Sequence, residues 1–87
     1  MRLTSIYINE DICVRMDDGK FLIKLGQKIE QLSIEKFRTQ TEFSDISGID
    51  ARTIRRIIKA EQNPTILILR KISNALEIDL HELVKLD

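Results

Sequence analysis

Helix start and stop signals come so close together from Thr39 onward that no long element fits between them. Thr39-Gln40-Thr41-Glu42 has the spacing of a capping box. The Thr39 hydroxyl can accept from the amide of Glu42, and the Glu42 side chain can return to the amide of Thr39. Gly48, free to take positive φ, stops that segment. Asp50 is the next N-cap, Asn63-Pro64 breaks the chain, and Thr65 caps a fourth helical segment. Asp79 and Glu82 repeat the capping-box spacing near the end. This punctuation predicts short helices that share one modest core.

Hydrophobic periodicity agrees. From Lys20 the period is 3.6, with Phe21, Leu22, Leu25, Ile29 and Leu32 on one stripe and Lys24, Lys28 and Gln31 elsewhere. The first helix is expected over about 20–35, and the second over about 40–47 with Phe43 and Ile46 inward. The third runs from Ala51 to about Ala60, with Ile54, Ile57 and Ile58 apolar. The fourth starts after Thr65, with Leu69, Ile72, Ala75 and Leu76 inward. The last spans about 80–86, with Leu80, Leu83 and Val84 apolar. Upstream the period is 2: Thr4, Ile6 and Ile8, then Ile12, Val14 and Met16, alternate around Asn9-Glu10-Asp11. That pattern predicts a β-hairpin with its apolar pairs on one face, ended by Asp17-Asp18-Gly19. The expected fold is mainly α, a compact five-helix domain over 20–87 preceded by an N-terminal hairpin over 1–19. An isolated hairpin is marginal in water, so its apolar face needs a partner. Helix 1, through Phe21 and Leu22, is one choice. A second chain is the other and the favoured one, because the helices make a complete domain without the hairpin.

At 87 residues the chain holds one domain, which excludes a two-domain enzyme with an interdomain cleft. Its single cysteine, Cys13, and single histidine, His81, exclude an internal disulfide, a Cys-based zinc site and a His-rich metal site. No Gly-rich phosphate loop and no nucleophile-with-base pattern occurs, so no catalytic residue, metal or cofactor is expected. Cys13 reads as a small strand residue and His81 as an ordinary helix residue. No apolar run approaches the roughly 20 residues of a membrane span. The opening MRLTSIYINED carries acids before any long apolar stretch, unlike a signal peptide. A cytoplasmic protein without membrane contact is the expectation.

Lys+Arg and Asp+Glu number 14 each, so a uniformly basic coat is excluded but a local basic face is not. The middle of the chain, 20–63, holds nine bases against six acids. Within it 50–59 reads DARTIRRIIK, the densest charge feature. Alone, such a cluster is most simply a solvated helix face or a surface for an acidic protein. Its context points elsewhere. Two capped helices joined by Ser47-Gly48-Ile49-Asp50 form a helix-turn-helix candidate. Ser44 supplies a small residue where the helices approach, Gly48 an unhindered turn, and Phe43, Ile49 and Ile54 the apolar contact. The outer face of the second helix (Ala51, Arg52, Arg55, Arg56 and Lys59) is left to read DNA.

From Leu25 to about Val84 the chain resembles the phage repressor/Cro-type helix-turn-helix domain, the xenobiotic-response-element family. The stretches LGQKIEQL, TQTEFSDISGIDARTIRRI and NPTILILRKISNALEIDLHEL carry the resemblance. It implies a five-helix fold and duplex DNA as partner. It also implies base contacts from Ala51, Arg52, Arg55 and Arg56, and backbone contacts from Gln40 and Thr53, to which Lys59 adds a point charge. The chain departs from the family at several positions. Phe37 stands where a glycine is common, Arg38 where an apolar residue is, Ile58 and Ala60 where Glu and Gly are, and Glu77 where another glycine is. A homodimer on a palindromic operator is the expected assembly. Leu67 and Ile68, with Leu80, Val84 and Leu86, are the candidate contact, because so small a domain cannot easily bury them all. The alternative function is a protein-interaction module on the same fold, such as a toxin-neutralising antitoxin or a regulator's partner.

Overall fold

The computed structural model describes residues 17–86, and the expected hairpin lies outside them. Five helices run in order: α1 (Asp18–Lys36), α2 (Gln40–Ser47), α3 (Ala51–Ile58), α4 (Ile66–Leu76) and α5 (Leu80–Leu83). Among the described residues there is no strand.

Local side-chain chemistry sets most of the starts. Thr39 Oγ1 accepts from the Glu42 amide at 3.1 Å, and Thr65 Oγ1 from the Ile68 amide at 3.1 Å. The Asp50 carboxylate takes the amides of Arg52 and Thr53. Three details differ from expectation. Helix α1 starts two residues early: Asp17, expected to end a strand, is an N-cap whose carboxylate accepts from the Lys20 amide at 2.8 Å, so Asp18 and Gly19 are helical. The Glu42 carboxylate returns to the amide of Arg38 at 2.8 Å, one residue before the Thr39 amide that a capping box would use. Asp79 makes no side-chain cap bond, and α5 is a single turn, not the seven residues of 80–86.

The core joins all five helices. Ile29, Phe43 and Leu83 are fully buried, with Leu25, Ile54, Ile57 and Ile72 nearly so. The α4 stripe of Leu69, Ile72, Ala75 and Leu76 is buried as its spacing predicts. Ile46, expected inward, is 57% exposed, because α2 turns only the Phe43 and Ser47 side to the core. Phe37 joins the core and stacks on Phe43, with ring centroids 5.2 Å apart and planes 13° from parallel. An aromatic side chain therefore closes the α1–α2 turn where the family commonly has a glycine.

Helix α1 packs on α3, α4 and α5, and α2 packs on α3 and α4. The α1–α3 contact is backbone-close at Gly26. A Cβ there would lie 2.4 Å from the Ile58 carbonyl oxygen and 2.7 Å from that of Ile57. Lys28, on a helix face read as polar, bonds the carbonyl of Glu82 and, at 2.8 Å, that of Lys85. A cation from α1 thus completes the C-terminal end of α5.

Candidate nucleic-acid interface

The α2–α3 corner is built by its turn. Gly48 sits in the left-handed region at φ 75°, and its amide donates to the Ser44 carbonyl at 2.9 Å. The Ser44 hydroxyl donates to the Ile49 carbonyl, and the Ile49 amide donates to Ser47 Oγ at 3.2 Å. Ile49 itself is buried. The turn therefore satisfies its own polar groups while driving an apolar anchor into the core, and that fixes how α3 leaves α2.

Once Ile54 and Ile57 face inward, helical geometry decides the rest of α3. Arg52, Arg55, Arg56 and Lys59 stand at i, i+3, i+4 and i+7, so they form one stripe, and all four are exposed. Among the described residues the ion pairs are Lys36–Glu77 at 3.3 Å and His81–Glu82 at 3.7 Å, and none of the four cations takes part in one. Ala51 and Thr53 are half-buried at the start of α3, and Gln40 is half-buried at the first position of α2. All seven residues expected to meet DNA thus lie on α3, its C-terminal end or the opening of α2.

The expected dimer residues separate into two groups. Leu67 is 65% exposed at the start of α4, whereas Ile68, Leu80, Val84 and Leu86 are partly buried against the core. Ile66, beside Leu67, is 64% exposed and was not singled out by its sequence pattern. Its exposure depends on where Thr65 starts the helix, so the cap residue was the available signal. No group of three His, Cys, Asp or Glu side chains able to hold a metal ion occurs among the described residues. Nor is any described helix long and apolar enough to cross a membrane.

The helix-turn-helix family model matches residues 34–83, more than half of the chain and the whole of α2, α3 and α4. The chain belongs to the Cro-type helix-turn-helix family. The restriction-modification controller protein C.AhdI from Aeromonas hydrophila has a similar structure, with a TM-score of 0.68 and 27% sequence identity. That match covers 71% of this chain and 94% of that one. No curated protein matches the sequence. The matched span takes in the α2–α3 corner and every position of the cationic stripe, so membership rests on the segment that carries the proposed chemistry.

Proposed function

We propose that this chain is a non-enzymatic transcription regulator that binds duplex DNA with α3 in the major groove, as a homodimer on a palindromic operator. The observation that carries the reading is the exposed stripe Arg52–Arg55–Arg56–Lys59, without an ion pair among the described residues, on the outer face of a short helix with Ala51 at its opening. An arginine fork matches guanine O6 and N7, so Arg52, Arg55 and Arg56 are the base readers. Gln40 and Thr53, near the starts of α2 and α3, and Lys59 at the end of α3, hold phosphates and set the register. A two-fold dimer places its half-sites about 34 Å apart, one turn of the duplex. The likeness to a restriction-modification controller favours that subtype over a phage-like repressor or a toxin-neutralising regulator.

The test is footprinting on the region upstream of the protein's own gene, then titration of single variants. Arg52→Ala and Arg56→Ala should each cost about 1–3 kcal/mol at one base pair and relax the preference there. Lys59→Ala should weaken all sequences alike and lower the salt slope by about one. Unchanged affinity and preference in both arginine variants would exclude α3 as the reading helix.

A further inference from the structure

The first turns of α1 and the segment entering α4 leave an open groove of about 260 Å³ between them. Phe21, Leu22 and Leu25 line one wall, and Pro64 and Leu69 the other. Phe21 is 37% exposed over it, although the period of α1 places that residue on the buried stripe. The groove opens where the described chain begins. Asp17 is the N-cap of α1 in extended conformation, so Phe21 is the fourth helical residue and Met16 the residue just before the cap. A hydrophobic residue before the cap and another at the fourth position form the apolar staple that fixes how a chain enters a helix. Met16 and Val14 alternate along the sequence with the same parity and are both apolar. Three residues span at most about 10 Å in any conformation, so a segment this close in sequence to Asp17 can reach the groove mouth.

We propose that Met16, with Val14 behind it, packs into this groove against Phe21 and Pro64 of the same chain. A tether this short gives an effective concentration on the order of millimolar, far above that of a second copy at micromolar levels. The chain's own segment therefore outcompetes an exchanged one for the same surface. This assigns the apolar face of the N-terminal residues to the helical domain itself, and reverses the preference for a second chain that the sequence alone suggested.

A double-mutant cycle in the full-length protein tests the assignment. Met16→Ser should lower the folded-to-unfolded ratio roughly tenfold, as expected for exposing part of a methionine side chain. In a Phe21→Ser background the same change should cost less than about twofold, because its partner is gone. Ile23, exposed on α1 but outside the groove, is the control: Met16→Ser should keep its full effect in Ile23→Ser. Met16→Ala serves in the same cycle if the serine variant does not fold. Additive effects of Met16 and Phe21, or equal coupling of Met16 to Ile23, would overturn the proposal. So would a coupling that changes over about a hundredfold range of protein concentration, the mark of a second copy in the groove.

Discussion

Three single residues carry backbone features with opposite consequences for substitution. Ala60 closes α3 at φ 61°: its amide donates to the Ile57 carbonyl and the Glu61 amide to that of Arg56, the double bond of a Schellman closure. A left-handed conformation costs a residue with a Cβ about 1–2 kcal/mol, and glycine loses part of that advantage through its freer unfolded chain. Ala60→Gly should therefore stabilise the fold by about 0.5–1 kcal/mol, read as a rise in Tm of a few degrees. Glu77 ends α4 the same way at φ 59°, but Glu77→Gly also removes the ion pair with Lys36. Glu77 is mostly exposed, and such pairs contribute about 0–1 kcal/mol, so this variant should gain less than Ala60→Gly. Gly26 has the opposite sign. The atoms a new Cβ would meet are carbonyl oxygens of α3, which cannot rotate away. Gly26→Ala should lose about 3 kcal/mol or more in urea unfolding, despite the better helix propensity of alanine. An unchanged midpoint would show that α1 and α3 can separate without loss. The departures at Ala60 and Glu77 are legible in the sequence by comparison with a family pattern. The role of Gly26 is not, because a glycine inside a helical period carries no sign of what lies across from it.

At the scale of elements, the helices legible in the sequence are those whose ends are made locally. Thr39, Gly48, Asp50 and Thr65 each act within three or four residues, and the bounds of α2 and the starts of α3 and α4 result from them. The elements that depart from expectation depend on partners distant in sequence or on a competing local bond. At α1 the Asp17 carboxylate turns a candidate strand end into a cap. Helix α5 has no side-chain cap at its start, and the carbonyls at its C-terminal end accept from Lys28, more than 50 residues away. A point charge at the last carbonyls of a helix contributes about 0.3–1 kcal/mol at an exposed position. Lys28→Met, which retains most of the aliphatic stem, should cost about that much globally. Its main effect should be local: amides of 80–86 exchange with solvent several-fold faster while those of α3 keep their protection. Equal loosening of both helices would mean that Lys28 supports the whole core and not α5 in particular. The cationic face of α3 was legible for the same local reason as its start. Burial of Ile54 and Ile57 leaves Arg52, Arg55, Arg56 and Lys59 no direction but outward.

The whole molecule poses the question of what its remaining apolar surface meets. Of the residues first expected at a dimer contact, four are drawn partly into the core, and the exposed apolar surface at α4 is the neighbouring pair Ile66 and Leu67. Volume arguments from sequence could not sort these, since partial burial is shared among α1, α4 and α5. A two-fold contact uses each residue twice, once from each protomer. Fully burying one such side chain contributes about 1.5–3 kcal/mol, so four side chains give a moderate association before the cost of lost freedom is met. The expected behaviour is therefore a dimer that forms weakly in solution and firmly on DNA, where two half-sites hold the protomers together. Leu67→Lys places like charges on both sides of that contact. Because Leu67 is 65% exposed, the variant should keep its melting temperature. It should sediment as a monomer where the parent protein associates, bind an isolated half-site as well as the parent does, and lose the gain in affinity that a palindrome confers. Retained palindrome affinity in a variant that is monomeric off DNA would move the contact away from the start of α4, and a parent protein that gains no affinity from a palindrome over a single half-site would remove the dimer altogether.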